Sequence, residues 1–191
     1  MPITDPRFLV CLPFVLKQED NVYTGTPADW TNPRNFDNDP QDPGGATQCG
    51  LTHADYDSYC EANGLPKGDV RHIGQTVGET IYYDSYWLPF CPKLKPGLDL
   101  FFFDTNVNMG TRRAVMLLQA SLGIVVDGAW GPKTDAAVAA LHDTDIAVVI
   151  RTNEASRAAT YRSFRTFGRF GGDWIRRDNE IGAESLKMVT T

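Results

Sequence analysis

The sequence predicts a mainly α (α+β) fold with one small β element. Three observations carry this: apolar residues recur at helical spacing along most of the chain, two runs carry helix-start signals, and strict alternation is confined to "ATQCGLT", Ala46–Thr52. With 191 residues, 42% hydrophobic and 22% charged, the chain has a globular composition and can bury a core without staples.

The first helix is expected in "DPRFLVCLPFVLKQED". Asp5 caps it, Pro6 suits its first turn, and Phe8, Leu12, Val15 and Leu16 share one face. Pro13 should kink it, and Glu19 falls at its C-terminal end. Residues 20–43 are polar and rich in Pro, Asn, Asp and Gly, and so read as a long loop. Tyr23, Trp30 and Phe36 within it argue against disorder. "ATQCGLT" follows as a short strand. Thr52 to Asp55 resembles a capping box whose helix runs to about Asn63, with Gly64 as its stop.

A second capping box, Thr76 to Glu79, opens a helix with Val77, Ile81, Ser85 and Leu88 on one side, ended by Pro89. "CPKLKPGLD" then reads as a junction, dividing the chain into residues 1–95 and 96–191. "LFFFDTNVNMG" is an apolar run buried as a helix or a strand. Thr111 to Leu122 is a helix stopped by Gly123, "VVDGAWGPKT" a tight turn, and an Ala-rich helix runs to Leu141. A long helix spans Asp143 to about Phe167, and a Gly171–Gly172 break precedes the last one. Trp87 and Trp174 are expected in cores and Trp130 as a plug within its turn.

The net charge of −6 argues against a nucleic-acid partner, which needs a basic face. Cys11, Cys49, Cys60 and Cys91 form no CxxC pair and have no zinc-like spacing with histidine, so they read as buried free thiols. No metal or cofactor is implied. The N-terminal apolar run is too short for a membrane span and lacks the features of a secretory signal. The expectation is synthesis in the cytoplasm without a signal peptide, and no membrane insertion.

Glu19, followed by Asp37, Asp39 and Asp42, suggests paired-carboxylate chemistry. Glycosidic cleavage needs one protonated acid for the leaving oxygen and one carboxylate to activate water or stabilise positive charge. A solvated helix end is the plainer reading of Glu19. "DNDPQDPGG" also invites a calcium-loop reading, which Pro40, the missing sixth-position glycine and Gln48 in place of a Glu all weaken. A structural Asx-Pro corner explains the same residues. His53, His72 and His142 accompany no nucleophile motif.

"VLKQED…NDPQDPGGATQCGLT" resembles the opening motif of glycoside hydrolase family 108, lysozyme-like N-acetylmuramidases of bacteria and phages. Those proteins usually carry Glu-Gly-Gly-Tyr followed closely by Asn-Asp-Pro, Asp-Pro-Gly-Gly and Thr. This chain departs in having Glu19-Asp20-Asn21-Val22-Tyr23 and a longer segment, including Trp30, before Asn38. "LFFFDTNVNMG…LLQASLGIVVDGAWGPKT" is similar to the peptidoglycan-binding module that often follows, and "YRSFRTFGRFGGDWIRR" resembles that module's ending.

The resemblance implies a lysozyme-like catalytic lobe in 1–95, a helical peptidoglycan-binding module in 96–191 packed as the second lobe, and hydrolysis of the β-1,4 bond after N-acetylmuramic acid. Glu19 matches the catalytic acid. Asp42 and Thr47 are the candidates for positioning water, with Asp39 as the rival carboxylate. Tyr23, Trp30 and Tyr56 are candidates for stacking on sugar. Asn106 and Asn108 are candidates for cleft hydrogen bonds, with helix capping as the alternative. The implied partner is bacterial peptidoglycan, met by a monomer in the periplasm or wall after release through a holin-type pore, as for a phage endolysin. A non-catalytic wall-binding or virion protein and a lytic transglycosylase are the competing readings.

Overall fold

The elements follow the apolar pattern of the sequence closely enough that a mainly α, lysozyme-like fold results, with eight α-helices and one three-stranded antiparallel sheet among the described residues. The computed structural model describes residues 3–19, 29–38 and 45–189. The chain divides into two units, Met1–Leu88 and Pro89–Thr191, the break falling just ahead of the junction expected near residue 95.

In the first unit, α1 (Pro6–Glu19) includes Pro13 and buries Phe8, Cys11, Leu12, Val15 and Leu16. Asp5 caps it: one carboxylate oxygen accepts from the N–H groups of Arg7 (2.9 Å) and Phe8 (3.2 Å), while the other accepts from Trp87 Nε1 at 2.9 Å. The Phe8 ring meets Tyr83 and Trp87 edge-on. The sheet comprises β1 (Phe36–Asp37), β2 (Thr47–Gln48) and β3 (Leu51–Thr52). The single strand expected over "ATQCGLT" is therefore a hairpin. Cys49 (φ 47°) and Gly50 (φ 76°) both take positive φ, the conformation that lets a two-residue turn match the twist of its strands. Thr52 caps α2 (His53–Ala62) through the expected box with Asp55.

The second expected capping box does not form. Gly74 caps α3 (Gln75–Ile81), which places Thr76 inside the first turn. The helix then widens into a π-helical segment, Tyr82–Trp87, where Leu88 N–H reaches back to Tyr83 O at 2.8 Å. A π turn advances the face of the helix. That buries Tyr82 and Trp87 and leaves Ser85 and Leu88 exposed, against the expected stripe.

In the second unit, α4 (Leu98–Met109) is buried nearly all round, which resolves the helix-or-strand ambiguity of its run. It packs against α5 (Thr111–Ser121), α7 (Asp143–Ser163) and α8 (Phe167–Met188), while α6 is Pro132–Ala139. α8 runs unbroken through Gly171 and Gly172. Gly171 lets the Phe167 ring lie on the backbone, where a Cβ would come within 2.5 Å of Cδ2, so Gly171 serves close packing rather than a break, while a Cβ on Gly172 would meet nothing within 4 Å. Trp130 packs on Phe90 and Phe102, and Trp174 stacks on Tyr161. All four cysteines are buried thiols outside any disulfide.

This unit's core also holds charge. Arg157, fully buried, ion-pairs with Asp104 Oδ2 at 2.6 Å and donates to Thr105 Oγ1 and Tyr161 Oη. Arg177 donates to Asp104 Oδ1 from Nη2 (2.8 Å) and Nε (3.0 Å). Burial pushes the Asp104 carboxyl up, yet Arg177 and Arg157 outweigh it and hold it below its ordinary range. Asp178, 3.5 Å from Arg157 Nε, is the opposite case. Burial raises it, Arg157 opposes, Glu154 and Asp104 add to the rise, and it reaches about 7.

A raised folded-state value means that the neutral acid is the form the fold favours. Its contribution is complete below the unfolded carboxylate range and is lost as pH rises through about 7. Urea midpoints across that window should therefore fall with pH in the wild type by more than in Asp178→Asn, which cannot ionise. Parallel profiles for the two proteins would show that Asp178 is not the group responsible.

Candidate active site

The hairpin turn is fixed from several sides. Buried Gln48 donates to Trp30 O (3.0 Å) and Asn32 O (3.3 Å), tying residues 29–38 to β2. Cys49 N–H donates to Asn35 O at 3.0 Å, and Tyr82 Oη donates to Cys49 O at 2.8 Å. Register pairs Asp37 with Thr47 and Thr47 with Thr52.

Against this turn lies Glu19, the last residue of α1. A Cβ built on Gly50 would meet Glu19 Oε2 and lie 2.7 Å from its Cδ. Glycine is thus required twice here, by the left-handed φ and by the carboxyl group occupying the space of a side chain. Beside them, Tyr86 Oη donates to Asp55 Oδ1 at 3.0 Å. The Tyr86 phenol is held well above its ordinary range, first by burial, then by the charge and hydrogen bond of Asp55, and then by the charge of Glu19. It is a neutral donor in the field of two carboxylates. The other oxygen of Asp55 accepts from Thr52 N–H (3.0 Å) and Thr52 Oγ1 (2.7 Å). With both its oxygens engaged by donors, Asp55 is suited to holding Tyr86 in place rather than to exchanging protons.

Of the residues expected from sequence, Glu19 and Thr47 belong to elements that meet at this corner. The Thr47 hydroxyl has no hydrogen-bond partner among the described residues. Asp39, Asp42 and Tyr23, together with most of the calcium-loop reading, lie outside the described residues. Trp30 is core packing rather than an open stacking face: it is 3% exposed, its ring sits on Gly78, and it meets Tyr82 edge-on. Tyr56 is half-buried against Gly68. In the second unit, buried Asn106 accepts from Thr111 Oγ1 at 2.9 Å across the α4–α5 corner, and half-buried Asn108 accepts from Tyr161 Oη at 2.5 Å.

Gly50 and Tyr86 were not marked by sequence, and Asp55 was marked only as part of a helix cap. The Cys-Gly dipeptide between two alternating pairs is a faint hairpin signal. Tyr86 gives none, because its orientation depends on the π-helical phase.

The family described as glycosyl hydrolase 108 matches residues 34–110. That range holds the sheet, Asp55, Tyr86 and α4, and begins after Glu19. Among solved structures the chain is similar to SagA of Brucella abortus, at 27% identity over 96% of each chain and a TM-score of 0.76. No curated protein matches.

Gly50→Ala should destabilise the protein by about 1–2 kcal/mol from left-handed backbone strain alone, with a further steric part from Glu19. In a Glu19→Ala background the steric part should vanish, so a double-mutant cycle read by chemical denaturation should give a clear coupling. Additive costs would mean that the two groups do not share this space.

Proposed function

We propose that the protein is a peptidoglycan hydrolase that cleaves the β-1,4 bond between N-acetylmuramic acid and N-acetylglucosamine, with Glu19 as general acid. The carrying observation is the Glu19 carboxyl seated on the Gly50 turn, in a chain whose residues 34–110 match a glycoside hydrolase family. Glu19 gives its proton to the bridging oxygen as the C1–O bond breaks and positive charge develops on the sugar ring. Asp42, with Asp39 as its alternative, takes a proton from the water whose oxygen adds to C1. The Thr47 hydroxyl, without a hydrogen-bond partner among the described residues, suits a role in holding that water. Asp55 and Tyr86 are positioning residues behind Glu19.

In this reading residues 96–191 add affinity for the wall, and the protein acts on peptidoglycan as a monomer in the periplasm or cell wall, reached through a holin-type pore. Metal-independent acid–base chemistry is sufficient for the reaction.

Glu19→Gln keeps the size of the side chain and removes its proton. Release of reducing ends from purified sacculi should drop by about 100-fold or more, with an unchanged thermal midpoint. Substantial remaining activity in a folded variant would remove Glu19 as the acid.

A further inference from the structure

The second unit carries a cavity of about 660 Å³ at the α4–α5 corner, within the size range of small-ligand sites. Its floor is apolar, with Met116 and Leu117 prominent, and Thr111, Thr160, Arg112 and Arg113 bring polar groups to it. Among the described residues no aromatic ring lines it.

The two arginines are held without using up their charge. The Arg112 stem lies on Gly128, where a Cβ would come within 2.8 Å of its Cγ. Gly128 is fixed in turn by buried Gln119, whose Oε1 accepts from the N–H groups of Asp127 and Gly128. Arg113 lies over the Phe164 ring, 5.1 Å from its centroid, and donates to Met109 O at 3.4 Å. Among the described residues neither guanidinium has a carboxylate partner. This is notable because acids outnumber bases in the whole chain, 24 to 18. Elsewhere in this unit Lys93, Lys95, Arg157, Arg176, Arg177 and Lys187 are ion-paired, while Lys133, Arg151, Arg162 and Arg165 have no ion pair among the described residues. α5 also starts here with no side-chain cap, so its first N–H groups add to the positive field.

We propose that this cavity binds the peptide stem of peptidoglycan through its carboxylates, rather than the glycan. The inference rests on the peptidoglycan reading above and names the part of that substrate which the second unit takes. Sugar faces are recognised largely by stacking on aromatic rings, which this lining lacks. A short stem of alanine, a γ-linked acidic residue and a diamino acid presents methyl groups and several free carboxylates. It matches an apolar floor edged by two preorganised guanidiniums, each able to grip a carboxylate through two parallel hydrogen bonds.

The test uses the full chain and the synthetic tripeptide L-Ala–γ-D-Glu–meso-diaminopimelate, titrated by calorimetry. The wild type should bind it saturably. Amidation of the peptide carboxylates, or Arg112→Gln, should weaken binding by about tenfold or more, the loss expected for a charge-assisted pair. On whole peptidoglycan Arg112→Gln should raise KM and leave kcat unchanged, whereas on glycan stripped of its stems the variant and wild type should coincide. No saturable binding to the wild type, equal binding of the amidated peptide, or an equal defect on stripped glycan would overturn the proposal. Because the titration needs no turnover, stem binding by a protein that releases no reducing ends would count against the hydrolase reading and in favour of this one. Efficient lysis with no stem binding would do the reverse.

Discussion

The approach of the Glu19 carboxyl to the backbone of Gly50 is the constraint around which the first unit is arranged. It needs α1 to end at Glu19, the chain to turn between β2 and β3 with two positive φ angles, and the turn to stay where it is. Each requirement has its own device. Asp5 sets the start of α1 and ties it to Trp87. Gln48 and Tyr82 hold the hairpin through buried hydrogen bonds to backbone carbonyls, which are costly to leave unpaired. Tyr86 and Asp55 complete the polar side of the corner. A carboxyl seated against the backbone in this way has its orientation set by the fold.

The second unit solves a different problem. Its central helix α4 is apolar enough to be buried on every side, yet it carries Asp104 into the core. Two arginines from α7 and α8 converge on that carboxylate, and Thr105, Tyr161 and Asn108 take up neighbouring donors. Removing one member of such a network typically costs about 3–5 kcal/mol, because a charge is left buried without its partner. The network therefore specifies how α4, α7 and α8 pack, in a way that interchangeable apolar contacts do not. Arg112 and Arg113, by contrast, are braced by carbon and backbone rather than by carboxylates, and their charge remains available.

Much of the fold was legible in the sequence because local signals and final packing agree. Asp5 and Thr52 cap the helices they were expected to cap, and Gly64 and Gly123 take the left-handed angles expected of helix stops. The failures have physical causes. Thr76 looked like a cap, but Gly74 already supplies the extended conformation two residues earlier. Ser85 and Leu88 were placed on a buried stripe by a period of 3.6, which a π-helical segment does not keep. Gly171 and Gly172 looked like a break, whereas Gly171 makes room for Phe167 within one continuous helix. At the candidate site, Glu19 was legible from its place at a helix end before an acidic loop. Its neighbours were not, since Gly50, Asp55 and Tyr86 are brought together only by tertiary structure. Trp30 shows the converse: an aromatic residue in a polar segment suggested a binding face, but the small residue Gly78 gives its ring a place in the core.

If this corner performs acid-catalysed hydrolysis of the wall glycan, the products report on it directly. Purified sacculi digested with the full chain and examined by mass spectrometry should yield muropeptides that end in reducing N-acetylmuramic acid, each heavier by one water than its anhydro form. Products ending in anhydro-muramic acid, reducing N-acetylglucosamine ends, or no soluble products from a folded protein would rule out hydrolysis after N-acetylmuramic acid at this corner.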